Sequence, residues 1–169
     1  MKINLKEMST FSLLAAIMLV SKLLLEAIPN FHLLAVFTIA ITVVYRQKAL
    51  YPIYLYVFLQ GLVAGFNPWW VIHIYVWLPL WGIVMILPKN LSKGKSAIMY
   101  SAVATLHGLF FGILSAISQA PVFGLGFIEM IITGIPYDLI HAGHNLILSA
   151  VLIMPIIKVL IYAKKHTDS

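Results

Sequence analysis

The chain has 169 residues, 62% of them hydrophobic and only 9% charged, with a net charge of +6 and no cysteine. A soluble domain carries roughly 25% charged residues, so this composition excludes an ordinary water-soluble fold and points to lipid as the solvent. The absence of cysteine excludes disulfides, thiolate metal sites and a cysteine nucleophile, and a mean hydropathy of +1.01 at this length leaves no room for a soluble nucleotide-binding or catalytic domain.

The first predicted span covers residues 10–28 and stops at Pro29-Asn30. It resembles a secretory leader, but Lys22 and Glu26 interrupt the apolar run and no small-residue cleavage site precedes Pro29, so it reads as a retained helix. The second span, 31–45, stops at "RQK", and the third, 51–66, at Asn67-Pro68. Both fall short of the roughly 20 residues that cross a full hydrocarbon core. The fourth span, 69–87, ends at "PKNLSKGK"; the fifth is 96–118 and the sixth 136–163. Between the last two, segment 119–135 is apolar but broken by Pro121, Gly124, Gly126 and Gly134, with Glu129 in its midst. Irregular backbone at membrane depth survives only against protein or a wet cavity, so this segment is predicted to be a lid or re-entrant element. The expected fold is an all-α integral membrane protein, a six-transmembrane-helix bundle forming a single domain over 1–169.

Counting basic residues turn by turn orients that bundle. Lys2 and Lys6, Arg46 and Lys48, the lysines at 89, 93 and 95, and Lys158, Lys164 and Lys165 share one side, ten of the eleven in the chain. The positive-inside rule makes that side cytoplasmic, with both termini on it. The net charge is then a topological signal and does not imply nucleic acid.

The intramembrane polar groups concentrate in the opposite half. An ionisable residue in hydrocarbon costs at least about 2.5 kcal/mol, so several at one depth need partners or a wet cavity. On the sixth span, Asp138, His141, Asn145 and Ser149 fall within about 80° at helical spacing, with Tyr137 beside the stripe and His144 at its margin. On the fourth span Trp70, His73, Trp77 and Trp81 share a face, which suits either packing or a partly apolar ligand. Lys22 and Glu26 form an i, i+4 pair that either neutralises itself or meets ligand. His107, near the middle of span five, is either a ligand contact or a satisfied core histidine. Glu129, in the lid, has no basic residue on its side other than Lys22, which Glu26 and Asp138 share. The remaining signals are for packing: Gly61-x-x-x-Gly65, and the small residues Ala104, Gly108, Gly112 and Ala116 spaced for close helix approach.

Three functional classes fit these features. Asp138-x-x-His141-x-x-His144 with Glu129 or Glu26 suggests an intramembrane metal enzyme, although i, i+3 and i+6 fan across about 120° and hold a metal less well than i and i+4. Asp138 and His141 as a proton relay suggest a proton-coupled carrier. The third class is a substrate-capture subunit. Short spans, cytoplasmic termini, an outward polar cluster and an apolar lid, with "LLAVFTIAITVVYRQKALYPIYLYVF" and "WLPLWGIVMILPKN", resemble the substrate-binding S components of energy-coupling factor (ECF) vitamin transporters, and uncharacterised Firmicute members among them.

That resemblance implies a subunit of the bacterial plasma membrane that is not itself an enzyme and holds no intrinsic cofactor or metal. It binds a vitamin-like molecule from outside and works with a transmembrane coupling subunit and two ATPases that use ATP. Family members dock through small residues on the first span, here matched by Ser12, Ala15 and Ala16. Nickel and cobalt members begin with a metal-binding histidine, which this chain lacks. The many aromatics and histidines put cobalamin first among ligands, with pantothenate, a pyridoxine-like compound and a queuosine precursor also open.

Overall fold

The computed structural model describes residues 3–28, 31–88 and 92–167, excepting the side chain of Thr167. Lys2, Lys89 and the stop at Pro29-Asn30 lie outside the described residues. Within them every regular element is helical: α1 (Leu5–Leu25), α2 (Leu34–Tyr45), α3 (Leu50–Ala64), α4 (Trp77–Ile86), α5 (Lys93–Leu109), α6 (Phe111–Phe123) and α7 (Phe127–Thr167), with 3₁₀ turns at Arg46–Ala49 and Pro68–Ile74. Four segments are long and apolar enough to cross a membrane: Leu5–Leu25, Pro68–Ile86, Lys93–Phe123 and Phe127–His166. The chain is an all-α, multi-pass membrane protein.

The two shortest expected spans are the exceptions to that length. They form α2 and α3, of 12 and 15 residues, which at 1.5 Å per residue reach only about 18 and 22 Å. α2 is apolar on every side and is enclosed by protein: Leu34, Ile39, Ala40 and Ile41 are buried, and the helix packs against α7, α4 and α5. A helix hydrophobic all round needs such an enclosure or lipid.

Other boundaries also differ from expectation. α1 starts at Leu5 rather than residue 10, because Asn4 and Glu7 make a capping box: Oδ1 of the Asn4 side chain accepts the Glu7 backbone N–H at 2.8 Å, and the Glu7 carboxylate accepts the Asn4 backbone N–H at 3.2 Å. Glu7 is buried and also pairs with Lys48. The fifth expected span starts at Lys93 and runs, with one break at Phe110, to Phe123, where Gly124 at φ +67° ends it. Segment 119–135 is therefore shared between the end of α6 and the first turns of α7, and forms no separate re-entrant element. Gly134 and Pro136 stop nothing: α7 runs through them for 41 residues, roughly 62 Å. In a membrane helix the carbonyl that proline frees is re-satisfied by its surroundings.

One end of the bundle is basic and tightly tied. The Arg46 guanidinium donates to the carbonyls of Val84 and Met85, where α4 ends and its last carbonyls lack intrahelical partners. Lys164 donates to the Val44 carbonyl at 3.1 Å, and the Trp81 indole to the Arg46 carbonyl at 3.2 Å.

The long helices meet along a seam that side chains would block. A Cβ on Gly108 would lie 2.8 Å from the backbone of Ala142, and one on Gly112 would lie 2.2 Å from the Asp138 carboxylate. Four residues before Gly108, the Ala104 carbonyl accepts the Asn145 side-chain N–H at 3.0 Å. Close backbone approach supplies the attraction that the hydrophobic effect cannot supply inside lipid. Gly61 and Gly65 serve differently from the expected helix-packing motif: Gly61 leaves room for the Phe66 ring, and Gly65, at φ +86°, turns the chain out of α3.

Gly108→Ala should therefore cost about 1–3 kcal/mol by overpacking, whereas Gly143→Ala, whose Cβ meets nothing within 4 Å, should not destabilise. Thermal unfolding of the purified variants checks this, and equal melting temperatures would contradict the seam.

Candidate functional site

At the end remote from Glu7 and Lys48, two cavities adjoin, sharing Trp69, Phe111 and His141 in their walls. The smaller, about 190 Å³, is walled by Lys22 from α1 and Glu26 at its C-cap, His32 from the loop before α2, Gln60 from α3, and His73 and Trp77. The larger, about 470 Å³, lies between α6 and the first turns of α7, against Phe123, Met130, Thr133, Gly134, Tyr137 and Asp138.

The smaller cavity holds a pair of opposite charges and a set of imidazole and aromatic rings. Lys22 and Glu26 pair at 2.9 Å. The Gln60 amide nitrogen lies 3.3 Å from Nε2 of His73. The His141 ring meets His32 and Phe111 edge-on, each with centroids 5.0 Å apart. Lys22 and Glu26 are the wall's one cation and one anion, and their charges sum to zero. His141 Nε2, Trp77 Nε1 and Gln60 Oε1 are buried without a hydrogen-bond partner, a costly condition that a bound polar group would relieve.

Five expected site residues meet at the smaller cavity: Lys22, Glu26, His73, Trp77 and His141. Tyr137 and Asp138 reach the larger one, which His141 also borders. Four others take structural places. Asn145 is fully buried on the Ala104 carbonyl. His107 bonds the Val76 carbonyl at 3.1 Å and stacks on Trp77. The Trp70 indole donates to the Val57 carbonyl at 2.8 Å. Glu129 is exposed and accepts the Gly126 N–H at 3.4 Å, at the start of α7.

Trp70 is displaced from the expected face because residues 68–74 form a 3₁₀ turn, where the 100° helical wheel does not hold. Its neighbour Trp69 lines both cavities instead. His32, Gln60 and Phe111 are further wall residues that the sequence did not single out. Gln60 carried a signal: it is the one amide inside the otherwise apolar third span.

Asp138 combines two positions. It borders the larger cavity, and its Oδ2 accepts the Gly112 N–H at 3.1 Å. Gly112 is the second residue of α6, after the break at Phe110, so its N–H has lost the regular intrahelical acceptor. A carboxylate from a neighbouring helix thus serves as the cap. His144 instead sets its ring edge-on to Phe31 at 4.8 Å. Asp138, His141 and His144 face separate partners, and no group of three or more metal-binding side chains forms among the described residues.

No protein-family model, curated protein or solved structure matches the chain.

Asp138→Ala should remove the acceptor for Gly112 and cost about 1–3 kcal/mol, while Asp138→Asn, which keeps a carbonyl oxygen, should retain most of the stability. Melting temperatures of the two variants in detergent check this; equal losses would contradict the capping role.

Proposed function

We propose that the chain is the substrate-binding S component of an ECF-type importer in the bacterial plasma membrane, and captures a vitamin or related micronutrient from outside. The observation that carries this reading is the pair of adjoining cavities at the end opposite the basic residues, where side chains from α1, α3, α7 and the His32 loop converge. In that reading the basic end is cytoplasmic, as the positive-inside rule requires. The six hydrophobic runs then give both termini to the cytoplasm, with α2 and α3 as short spans completed by their flanking turns. The chain is not an enzyme here. It holds no cofactor of its own, and two ATPase subunits drive transport through a transmembrane coupling subunit.

The cavity volumes of about 190 and 470 Å³ favour a ligand smaller than cobalamin, with its corrin ring and nucleotide loop. A pyridoxine-like compound suits that size better, whereas the carboxylate of pantothenate would meet Glu26 as well as Lys22. Docking to the coupling subunit falls to the exposed side of α1. Ala15 is fully buried against the bundle, whereas Ser12 is exposed and Ala16 half-buried, beside the exposed Leu13 and Ile17.

The isolated protein in nanodiscs should bind one member of a radiolabelled vitamin panel. Gln60→Leu should weaken that binding by about five- to 150-fold, the equivalent of one buried hydrogen bond at about 1–3 kcal/mol. Accumulation by the isolated protein in energised liposomes, abolished by a protonophore, would contradict this reading and favour the carrier.

Ser12→Phe and Ala16→Phe should leave binding intact and abolish uptake when the coupling subunit and ATPases are co-expressed, because bulk blocks close helix approach. Normal uptake in both variants would remove this face of α1 from the interface.

A further inference from the structure

We infer that the molecule captured is an amphiphile with two unequal parts: a small head of no net charge in the 190 Å³ cavity and an apolar tail in the 470 Å³ cavity. This rests on the reading of the two cavities as the ligand site.

The two cavities differ in chemistry. The smaller offers Lys22 paired with Glu26, the Gln60–His73 pair and the His141 ring. A net anion or cation in the head would meet one matching charge and one opposing it, whereas a neutral or zwitterionic head meets both favourably. The buried, partnerless Gln60 Oε1 and Trp77 Nε1 add one acceptor and one donor, so the head carries both hydrogen-bonding kinds.

The larger cavity is bounded mainly by Trp69, Phe111, Phe123, Met130 and Tyr137. Apart from His141 at the junction, whose Nε2 lacks a partner, its side chains are engaged within the protein: the Asp138 carboxylate holds the Gly112 N–H, Ser115 donates to the Gly112 carbonyl, and Thr133 donates to the Glu129 carbonyl. An apolar tail occupies such a space without leaving these groups unpaired. Trp69, Phe111 and His141 stand where the cavities meet, so one molecule passing them joins both parts.

The test exploits Gly134, which lines only the larger cavity and whose Cβ would meet nothing within 4 Å. Wild type, Gly134→Phe, Gln60→Leu and, as a control outside both cavities, Gly143→Ala are purified as full chains in nanodiscs. Bound small molecules are released with acidic methanol and identified by reversed-phase liquid chromatography and mass spectrometry, with empty nanodiscs as background. Size-exclusion profiles and melting temperatures confirm folding.

The expected result is one species of no net charge, with a polar head and a hydrocarbon part, at near-equal stoichiometry in wild type and Gly143→Ala. It should fall at least fivefold in Gly134→Phe and in Gln60→Leu. A wholly polar species kept by Gly134→Phe but lost from Gln60→Leu would overturn the two-part ligand and leave the binding site standing. A net anion or cation would overturn the neutral head, and a bulk phospholipid equal in all four samples would make the larger cavity merely lipid-filled. Nothing released from any sample, together with no binding in the vitamin panel, would overturn the site itself.

Discussion

Asp138 meets Gly112 at the point where the α5–α6 helix is interrupted, and much of the cavity end depends on that contact. The break at Phe110 leaves a backbone N–H without a partner in a part of the chain surrounded by apolar groups, and an unpaired donor there is costly. Asp138 supplies the acceptor only because Gly112 has no side chain to keep it away, and one turn earlier Gly108 lets the backbone of α7 come equally close. A seam fixed at Ala104, Gly108 and Gly112 leaves the face of α7 little freedom to rotate. His141, three residues from Asp138, is thereby held between His32 and Phe111, where both cavities have their common wall. One polar residue in the membrane thus serves the helix pair and the cavities together.

The two ends of the bundle handle their polar groups in opposite ways. At the basic end Glu7, Arg46 and Lys164 are spent on helix ends and backbone carbonyls. At the other end the polar side chains pair partly with one another and leave Gln60 Oε1, Trp77 Nε1 and His141 Nε2 without partners. Buried polar atoms in that condition mark a place whose hydrogen bonds are completed by something other than the chain. Such atoms also occur elsewhere, as at Thr38 and Ser101, but among the described residues only at the cavity end do they border open space, and that makes it the candidate binding site.

Much of this was legible in the sequence, because lipid imposes simple rules. Long apolar runs, the small residues of α5 and the i, i+4 pair of Lys22 and Glu26 each declare themselves by spacing alone, and the structure uses them as that spacing suggests. Legibility fails where a residue's partner lies on another helix. Asn145 and Asp138 sit on one stripe, yet one is consumed by the Ala104 carbonyl while the other also borders a cavity. No helical wheel separates those roles. It fails again where the backbone leaves α-geometry: the 3₁₀ turn at Pro68–Ile74 exchanges Trp70 for Trp69, and His32 reaches the cavity from a loop. Gly134 misleads for a different reason, since a residue that weakens a helix in water is tolerated inside one in a membrane.

The central claim is that the cavities open to the outside, opposite the basic end. The chain has no cysteine, so single cysteines report accessibility without a background to remove. Trp69, half-exposed at the cavities, and Lys95, near the start of α5, are replaced by cysteine in separate variants and treated in intact cells with a membrane-impermeant maleimide. The account predicts that Trp69→Cys is labelled in intact cells and that Lys95→Cys is labelled only after permeabilisation. The reverse pattern would place the cavities on the cytoplasmic side and contradict capture from outside.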